Sequence, residues 1–215
     1  MPSHLKPWER RRAEAGAATR EFRRILILCE DTKSAVDYLK QVPHDPDLVK
    51  LERIGTGMNT DSLMEEAIRR TLKASHSGIP YSAVWVVFDK DDFHDHNYNR
   101  AFDLAGSYPT INACWSNECF ELWYLLHFGY LESQLERGVI WQKLGEHLDG
   151  KYLKADDTVF KKLKPKLEDA LKHADKLYRV NAENERRRAN PSTRMHHLVR
   201  LLLSLAPASQ ESDSA

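Results

Sequence analysis

Apolar residues in this chain follow two patterns, and the change from one to the other divides it. In the first part, short and nearly continuous apolar runs alternate with stretches where apolar positions recur every three or four residues. The runs are Ile25–Cys29, Leu48–Ile54, Ser82–Phe88 and Ile111–Trp115, and each has the length of a strand. Three of them lack an in–out alternation, as expected of strands buried on both faces of a parallel sheet. The run 48–54 alternates loosely and reads as a strand nearer an edge.

Between the runs lie helical patterns. Asp31-Thr-Lys-Ser34 supplies turn and capping residues for a helix through Val36, Leu39 and Lys40. Asn59-Thr-Asp61 caps a second helix, whose apolar face is Leu63, Met64, Ala67, Ile68 and Leu72. A third covers Arg100–Ala105, and a fourth runs from Glu118 to Phe128 with Asn117 as its N-cap. Strands alternating with helices over 24–130 predict an α/β fold, a parallel sheet with right-handed crossovers.

From Leu131 the strand signals disappear. Helical periodicity covers 131–148, 158–178 and 193–205, interrupted at Gly150, Pro165 and Asn190-Pro191. An α-helical extension over 131–205, packed on the sheet, is therefore expected. Residues 1–23 read as a basic, polar arm, and 206–215 as a disordered tail.

Charge and cysteine content narrow the class. Lys and Arg together number 32, as do Asp and Glu, so no global field draws in nucleic acid and any such binding must use local patches. Three cysteines, at 29, 114 and 119, form no CxxC pair and read as reduced thiols of a cytoplasmic protein. No apolar run approaches the roughly 20 residues that span a membrane, and the amino terminus lacks a signal-peptide core.

The chemistry concentrates where the central strand ends. Val84-Trp-Val-Val-Phe88 stops at Asp89, with Asp91 and Asp92 close behind. In open α/β sheets, ligands bind at the carboxyl ends of strands, and clustered oxygen ligands suit a hard cation such as Mg²⁺ or Mn²⁺. The plainer alternative is a solvated acidic turn. If the first and third strands are neighbours, Glu30 joins Asp89 and Asp91 at one sheet edge. A Glu after the first strand and an Asp-x-Asp after a later one resemble the TOPRIM domain, which implies metal-held phosphodiester chemistry.

Three longer stretches carry a closer resemblance. Ile25-Leu-Ile-Leu-Cys-Glu-Asp-Thr-Lys33 is similar to the opening strand and Cys-Glu-Gly-x-Lys loop of the RloB-like (AbiL second-component) family of phage-defence proteins. Val84-Trp-Val-Val-Phe-Asp-Lys-Asp-Asp-Phe93 resembles its Val-Phe-Asp-x-Asp strand, and Trp115-Ser-Asn-Glu-Cys-Phe-Glu-Leu-Trp123 its Ser-Asn-Pro-Cys-Phe-Glu-Leu-Trp helix. Asn190-Pro-Ser-Thr193, leading into His197-Leu-Val199, is a shorter fourth match. The sequence departs from the pattern at Asp31, where the family has Gly, at Thr32, at Ser34-Ala35 in place of Thr-Glu, and at Glu118 in place of Pro.

The resemblance implies a TOPRIM-like nuclease effector, with an AAA/ABC-type ATPase encoded alongside to control it. Glu30, Asp89, Asp91, Asp92 and Glu121 are then the expected metal ligands for Mg²⁺ or Mn²⁺, and Glu30, Lys33, Asp89 and Asp91 the catalytic set. Glu121 has a plainer role too, stabilising the amino end of its helix. Lys33 could meet the scissile phosphate or be an ordinary surface lysine. RNA (tRNA among the candidates) or DNA would be the substrate. Arg10, Arg11, Arg12, Lys33, Lys161, Lys162, Arg186 and Arg187 are the basic residues available to track its phosphates. Neighbouring Asp and Glu residues make a solvated helical face the default for the carboxyl-half cluster.

His94-Asp-His96 reads as a polar loop before a chelate, and His127 as packed or hydrogen-bonded. A second reading of the whole chain is a non-catalytic regulatory subunit docking on the ATPase, favoured by the altered loop at Asp31, Thr32 and Ala35. Topoisomerase- or primase-like chemistry is a weaker third, since no nucleophilic tyrosine stands out. The sequence leaves the oligomeric state open, a homo-oligomer included.

Overall fold

The structure, a computed structural model, describes residues 23–46, 49–90, 95–148, 150, 152–154, 158–181 and 187–207. The chain runs β1 (Arg23–Cys29), α1 (Ser34–Gln41), β2 (Val49–Gly55), α2 (Thr60–His76), β3 (Ala83–Asp89), α3 (Asp95–Gly106) and β4 (Ile111–Asn117). Then follow α4 (Glu121–Leu125), α5 (Arg137–His147), α6 (Val159–Leu163), a 3₁₀ turn (Lys164–Lys166), α7 (Leu167–Val180), β5 (Ser192–Thr193) and α8 (Met195–Ser204).

The strands form one sheet in the order β2-β1-β3-β4-β5. The first four are parallel, and β5 pairs antiparallel with β4. This α/β arrangement, a mostly parallel sheet flanked by helices with a helical carboxyl-terminal part, is the architecture the sequence led us to expect. It is consistent with a TOPRIM-like fold.

The unbroken apolar runs have a direct structural reason. Successive side chains on a strand point to opposite faces, and here both faces are covered. Ile25, Ile27 and Cys29 of β1 join Trp85, Val87 and Cys114 in one core, closed by α1 and the helices of the carboxyl-terminal half. Leu26 and Leu28 join Val84, Val86, Phe88 and Ala113 in the other, closed by α2 and α3 through Leu63, Met64, Ala67, Tyr98 and Ala101. Burying each such aliphatic side chain contributes roughly 1.5–3 kcal/mol, so a polar residue on either face would be costly.

The carboxyl-terminal helices share the first core with the strands. Leu122, Trp123, Ile140, Leu144, Phe160, Leu171 and Leu198 are buried there, and Cys114 Sγ lies 3.4 Å from Met195 Sδ. No helix among the described residues is long and apolar enough to cross a membrane.

Several local expectations are corrected. The strand signals do not end at Leu131, because Ser192 and Thr193 form β5, opposite Asn117 and Ser116. Trp115 Nε1 donates to Ser192 Oγ at 3.0 Å, and the Ser116 and Thr193 hydroxyls lie 3.0 Å apart. A two-residue strand has no periodicity of its own; the edge of β4 makes it. The last helix therefore begins at Met195 rather than Thr193.

Asn117 does not cap the next helix. It ends β4, and its Nδ2 donates to the carbonyls of Arg188 and Ala189 at 3.1 and 2.9 Å. The regular part of the expected 118–128 helix is Glu121–Leu125, with Phe120 in the capping position and no side-chain cap. The α5 helix starts at Arg137 rather than Leu131. Pro165 does interrupt the 158–178 pattern: it sits in the 3₁₀ turn between α6 and α7, where its missing N–H is tolerated. The 31–34 segment gives α1 no side-chain cap either, whereas Asn59 caps α2 by accepting from Ser62 N at 3.1 Å.

Candidate functional site

Because β1 and β3 are parallel neighbours, with Cys29 opposite Val87, their carboxyl ends emerge together. The Glu30 N–H donates to the Val87 carbonyl at 2.9 Å, which carries the β1 ladder one residue past the strand. The Asp89 N–H in turn donates to Glu30 Oε2 at 3.2 Å. One carboxylate is thus oriented by the backbone of the other. The tip of β2 closes the side: Thr56 N donates to the Cys29 carbonyl at 2.9 Å and Gly57 N to the Glu30 carbonyl at 3.0 Å.

Gly55 is where this loop and the β1–α1 loop touch. A Cβ there would land on Thr32 Cα and lie 2.9 Å from the Asp31 carbonyl oxygen. Only a hydrogen at that position lets the Asp31–Thr32 backbone pass.

The result is an open cleft of about 430 Å³ whose walls include Glu30, Asp31, Thr32, Asn59, Asp89 and Lys154. Its electrostatics are unusual for surface carboxylates. Burial raises the Glu30 pKa above its ordinary value, and Asp31 adds to the rise; the Asp89 N–H, the Thr60 hydroxyl and Arg137 oppose it. Burial also raises Asp89, well above the usual range, with Glu121 and then Glu30 adding repulsion while Arg137 and Lys154 relieve part of it. Two acids are held close together in a poorly solvated place, a state a bound cation would relieve.

Glu121, the first residue of α4, lies behind them. It is 1% exposed, and its Oε1 accepts a 2.9 Å hydrogen bond from the Tyr152 hydroxyl. Lys154, two residues on, places Nζ 3.3 Å from Asp31 Oδ2. The backbone between is pinned, since Ser34 Oγ donates to the Lys154 carbonyl at 2.7 Å. Burial opposes the Lys154 charge, but Asp31, Glu121 and Asp89 outweigh it and raise its pKa. Tyr152, Lys154 and Arg137 were missed from sequence. They lie where helical periodicity fails or begins, and nothing in their spacing says which strand end they face.

The structure brings together Glu30 and Asp89, with Glu121 adjacent. Asp91 and Asp92 lie outside the described residues, as do Arg10, Arg11, Arg12, Arg186 and His94. Lys33 is exposed, with its backbone N–H donating to Asp31 Oδ1; the lysine lining the cleft is Lys154 instead. Lys161 and Lys162 are exposed on α6, whose Phe160 packs on Tyr38 of α1. Arg187 lies across the sheet from them, its guanidinium 4.7 Å from the Phe102 ring. The described members of the basic set therefore do not form one track.

Among the described residues no three His, Cys, Asp or Glu side chains converge as a metal-holding group. Glu30 and Asp89 nevertheless present oxygen donors of the kind Mg²⁺ and Mn²⁺ take, as two ligands of a larger shell. His127 is not part of any such set. Its Nδ1 is 2.9 Å from the Trp123 carbonyl, and burial lowers its pKa to about 4. The three cysteines are free and buried, and burial pushes the Cys114 thiol up to about 12.

No curated protein and no solved structure was found to match the chain. A family model does match, that of the RloB-like proteins, over residues 25–202. The match starts in β1, takes in Glu30, Asp89, Tyr152 and Lys154, and ends in α8, so it spans both the sheet and the helical half. This chain belongs to the RloB-like protein family.

Proposed function

We propose that this chain is a metal-dependent nuclease effector, hydrolysing phosphodiesters of RNA, tRNA included, or of DNA. The setting is bacterial anti-phage defence, with an AAA/ABC-type ATPase encoded alongside as the controlling partner. The observation that carries this reading is the pairing of Glu30 and Asp89 at the carboxyl ends of adjacent strands, two partly desolvated carboxylates of which the first accepts a hydrogen bond from the backbone N–H of the second.

Glu30 and Asp89 would hold Mg²⁺ or Mn²⁺, with Asp91 or Asp92, water and a substrate phosphate completing the shell and Glu121 in support. Bound there, the metal supplies charge neutralisation on phosphoryl oxygens and a water of lowered pKa. The protein's own part is to keep both acids ionised and oriented once the cation is present. The Asp89 N–H fixes Glu30, and the Tyr152 hydroxyl fixes Glu121.

The test is Mn²⁺ titration calorimetry on the wild type, Glu30→Ala and Asp89→Ala, followed by cleavage assays with and without the ATPase. Binding by the wild type and loss in both folded variants supports the reading. Equal behaviour of all three removes its foundation.

A second reading is a non-catalytic docking subunit of the ATPase complex. It is favoured by the Asp31–Lys154 ion pair, which already fills part of the cleft with a cation, and by buried Ala35, where the family carries an acid. Metal binding without turnover, in the presence of the ATPase, would decide for it.

A further inference from the structure

Among the described residues that line the cleft, Lys154 is the one cation, and its backbone sits on a fixed mount. The Lys154 backbone is tied to α1 through Ser34, and Tyr152 ties the same segment to α4 through Glu121. The side chain itself remains 53% exposed and ends on Asp31 Oδ2 at 3.3 Å. The Lys154 side of the pair faces solvent although Asp31 is only 18% exposed, so the pair is partly screened and contributes on the order of 1 kcal/mol, and an incoming phosphate can replace Asp31 as the partner of the ammonium. The mount cannot move as easily, because releasing it would strand the buried Glu121 carboxylate without the tyrosine donor.

The surroundings say what such a cation is for. Lys154 shares the cleft walls with Glu30 and Asp89, a set of acids that by itself repels a phosphodiester. Lysine serves as a compact point charge on a flexible stem. It suits a ligand that brings negative charge into the cleft beside the carboxylates rather than one that needs a fixed fork of donors. Other features carry less. The groove lined by Arg24, Arg69, Arg70 and Lys73 has three of its four cations paired with Glu52 or Glu66. The buried His196 packs against Tyr178 and His197.

We propose that Lys154 is the substrate-contacting cation of the cleft, exchanging Asp31 for a backbone phosphate of the bound nucleic acid, and that Tyr152 is its positioning residue. This rests on the nuclease reading for the choice of ligand. It goes beyond that reading by moving the phosphate contact from the β1–α1 loop, where Lys33 sits, to the segment that follows α5. Asp31 then acts as a parking site that lysine vacates when substrate arrives.

The test is fluorescence anisotropy with a short single-stranded RNA and a DNA duplex of matching sequence. It is run in Ca²⁺ over a salt series, on the full chain with thermal melts as folding controls. Lys154→Gln should weaken binding about five- to tenfold and lower the salt slope by about one, as expected for one lost phosphate contact. Lys154→Arg should recover most of it. Asp31→Asn should tighten binding in the wild-type background but not with Lys154→Gln, and that non-additivity reports the exchange. Unchanged affinity and slope in folded Lys154→Gln, additive effects of the two substitutions, or no binding of either probe by the wild type would overturn the proposal. Mn²⁺ calorimetry on the same proteins separates the two readings: Lys154→Gln should still bind the metal, whereas failure of the wild type to bind it would count against the nuclease and leave the anisotropy result to judge Lys154.

Discussion

The Asp89 backbone N–H donates to Glu30 Oε2 at 3.2 Å, so the first acid of the cleft is held in place by the residue that carries the second. Neither carboxylate can be judged alone. Burial raises both; Glu121 and then Glu30 add to the rise at Asp89, while at Glu30 the Asp89 N–H works against burial and Asp31 adds to it. In the absence of a cation, the negative charge itself is a cost to the fold.

Neutral isosteres should therefore stabilise the metal-free protein. Asp89→Asn is expected to raise Tm at neutral pH by about 2–4 °C, the shift that roughly 1 kcal/mol produces in a protein of this size. The same variant should lose Mn²⁺ binding. Differential scanning calorimetry with and without Mn²⁺ reads both effects, and a lowered Tm for metal-free Asp89→Asn would contradict this account.

The pH dependence has a defined sign. A carboxyl whose pKa is raised by folding binds its proton more tightly in the folded state, so its contribution is fully present below the unfolded value, about 4. That contribution is lost as pH rises through the raised folded value. Elsewhere in the molecule Glu66, lowered to about 2 by Arg69 and Arg70 against burial, works in the opposite sense. The clean quantity is thus the difference between wild type and Asp89→Asn. The stability advantage of the variant should grow as pH rises from the ordinary carboxylate range, and saturating Mn²⁺ should reverse it. Chemical denaturation across the acidic to neutral range would show this, and a flat difference would not fit.

Tyr152→Phe removes the donor to a carboxylate that is 1% exposed. Leaving that buried carboxyl oxygen without its donor should cost about 1–3 kcal/mol. Protection of amides in α4 should fall in hydrogen exchange, because the segment after α5 would no longer be tied to it. A melt superimposable on the wild type would show that Glu121 finds an equal partner.

Gly55→Ala would place a methyl group on the Thr32 backbone. Relieving that clash by moving the β1–α1 loop should cost about 1–3 kcal/mol. Because Glu30 and Asp31 ride on the same loop, Mn²⁺ affinity should fall along with stability. Calorimetry on Gly55→Ala at a temperature where it is folded tests the coupling, and wild-type metal affinity would break it.

Much of this site was legible from residue order. Apolar runs ending at Glu30 and Asp89 marked two strand ends and their acids, and the fully buried positions Leu26, Ile27 and Leu28 explain why β1 shows no polar alternation. Asn117 misled because Asn preceding a helical pattern is the common sign of a cap, yet its amide serves the carbonyls of Arg188 and Ala189, about seventy residues away. Ser192 and Thr193 left no strand signal because their pairing depends on Trp115 and Ser116 across the edge of β4.

The sequence by itself determined the four parallel strands, the helices between them and the carboxylates at the strand ends, since burial on two faces and helical periodicity are written locally in the order of apolar residues. Which ends meet was decided by the tertiary structure. The order β2-β1-β3-β4-β5 puts Glu30 beside Asp89, and packing of the helical half delivers Tyr152 to Glu121 and Lys154 to Asp31. Those contacts join residues far apart in the chain, and they form because both elements bury apolar surface in a shared core, a property no short window of sequence contains.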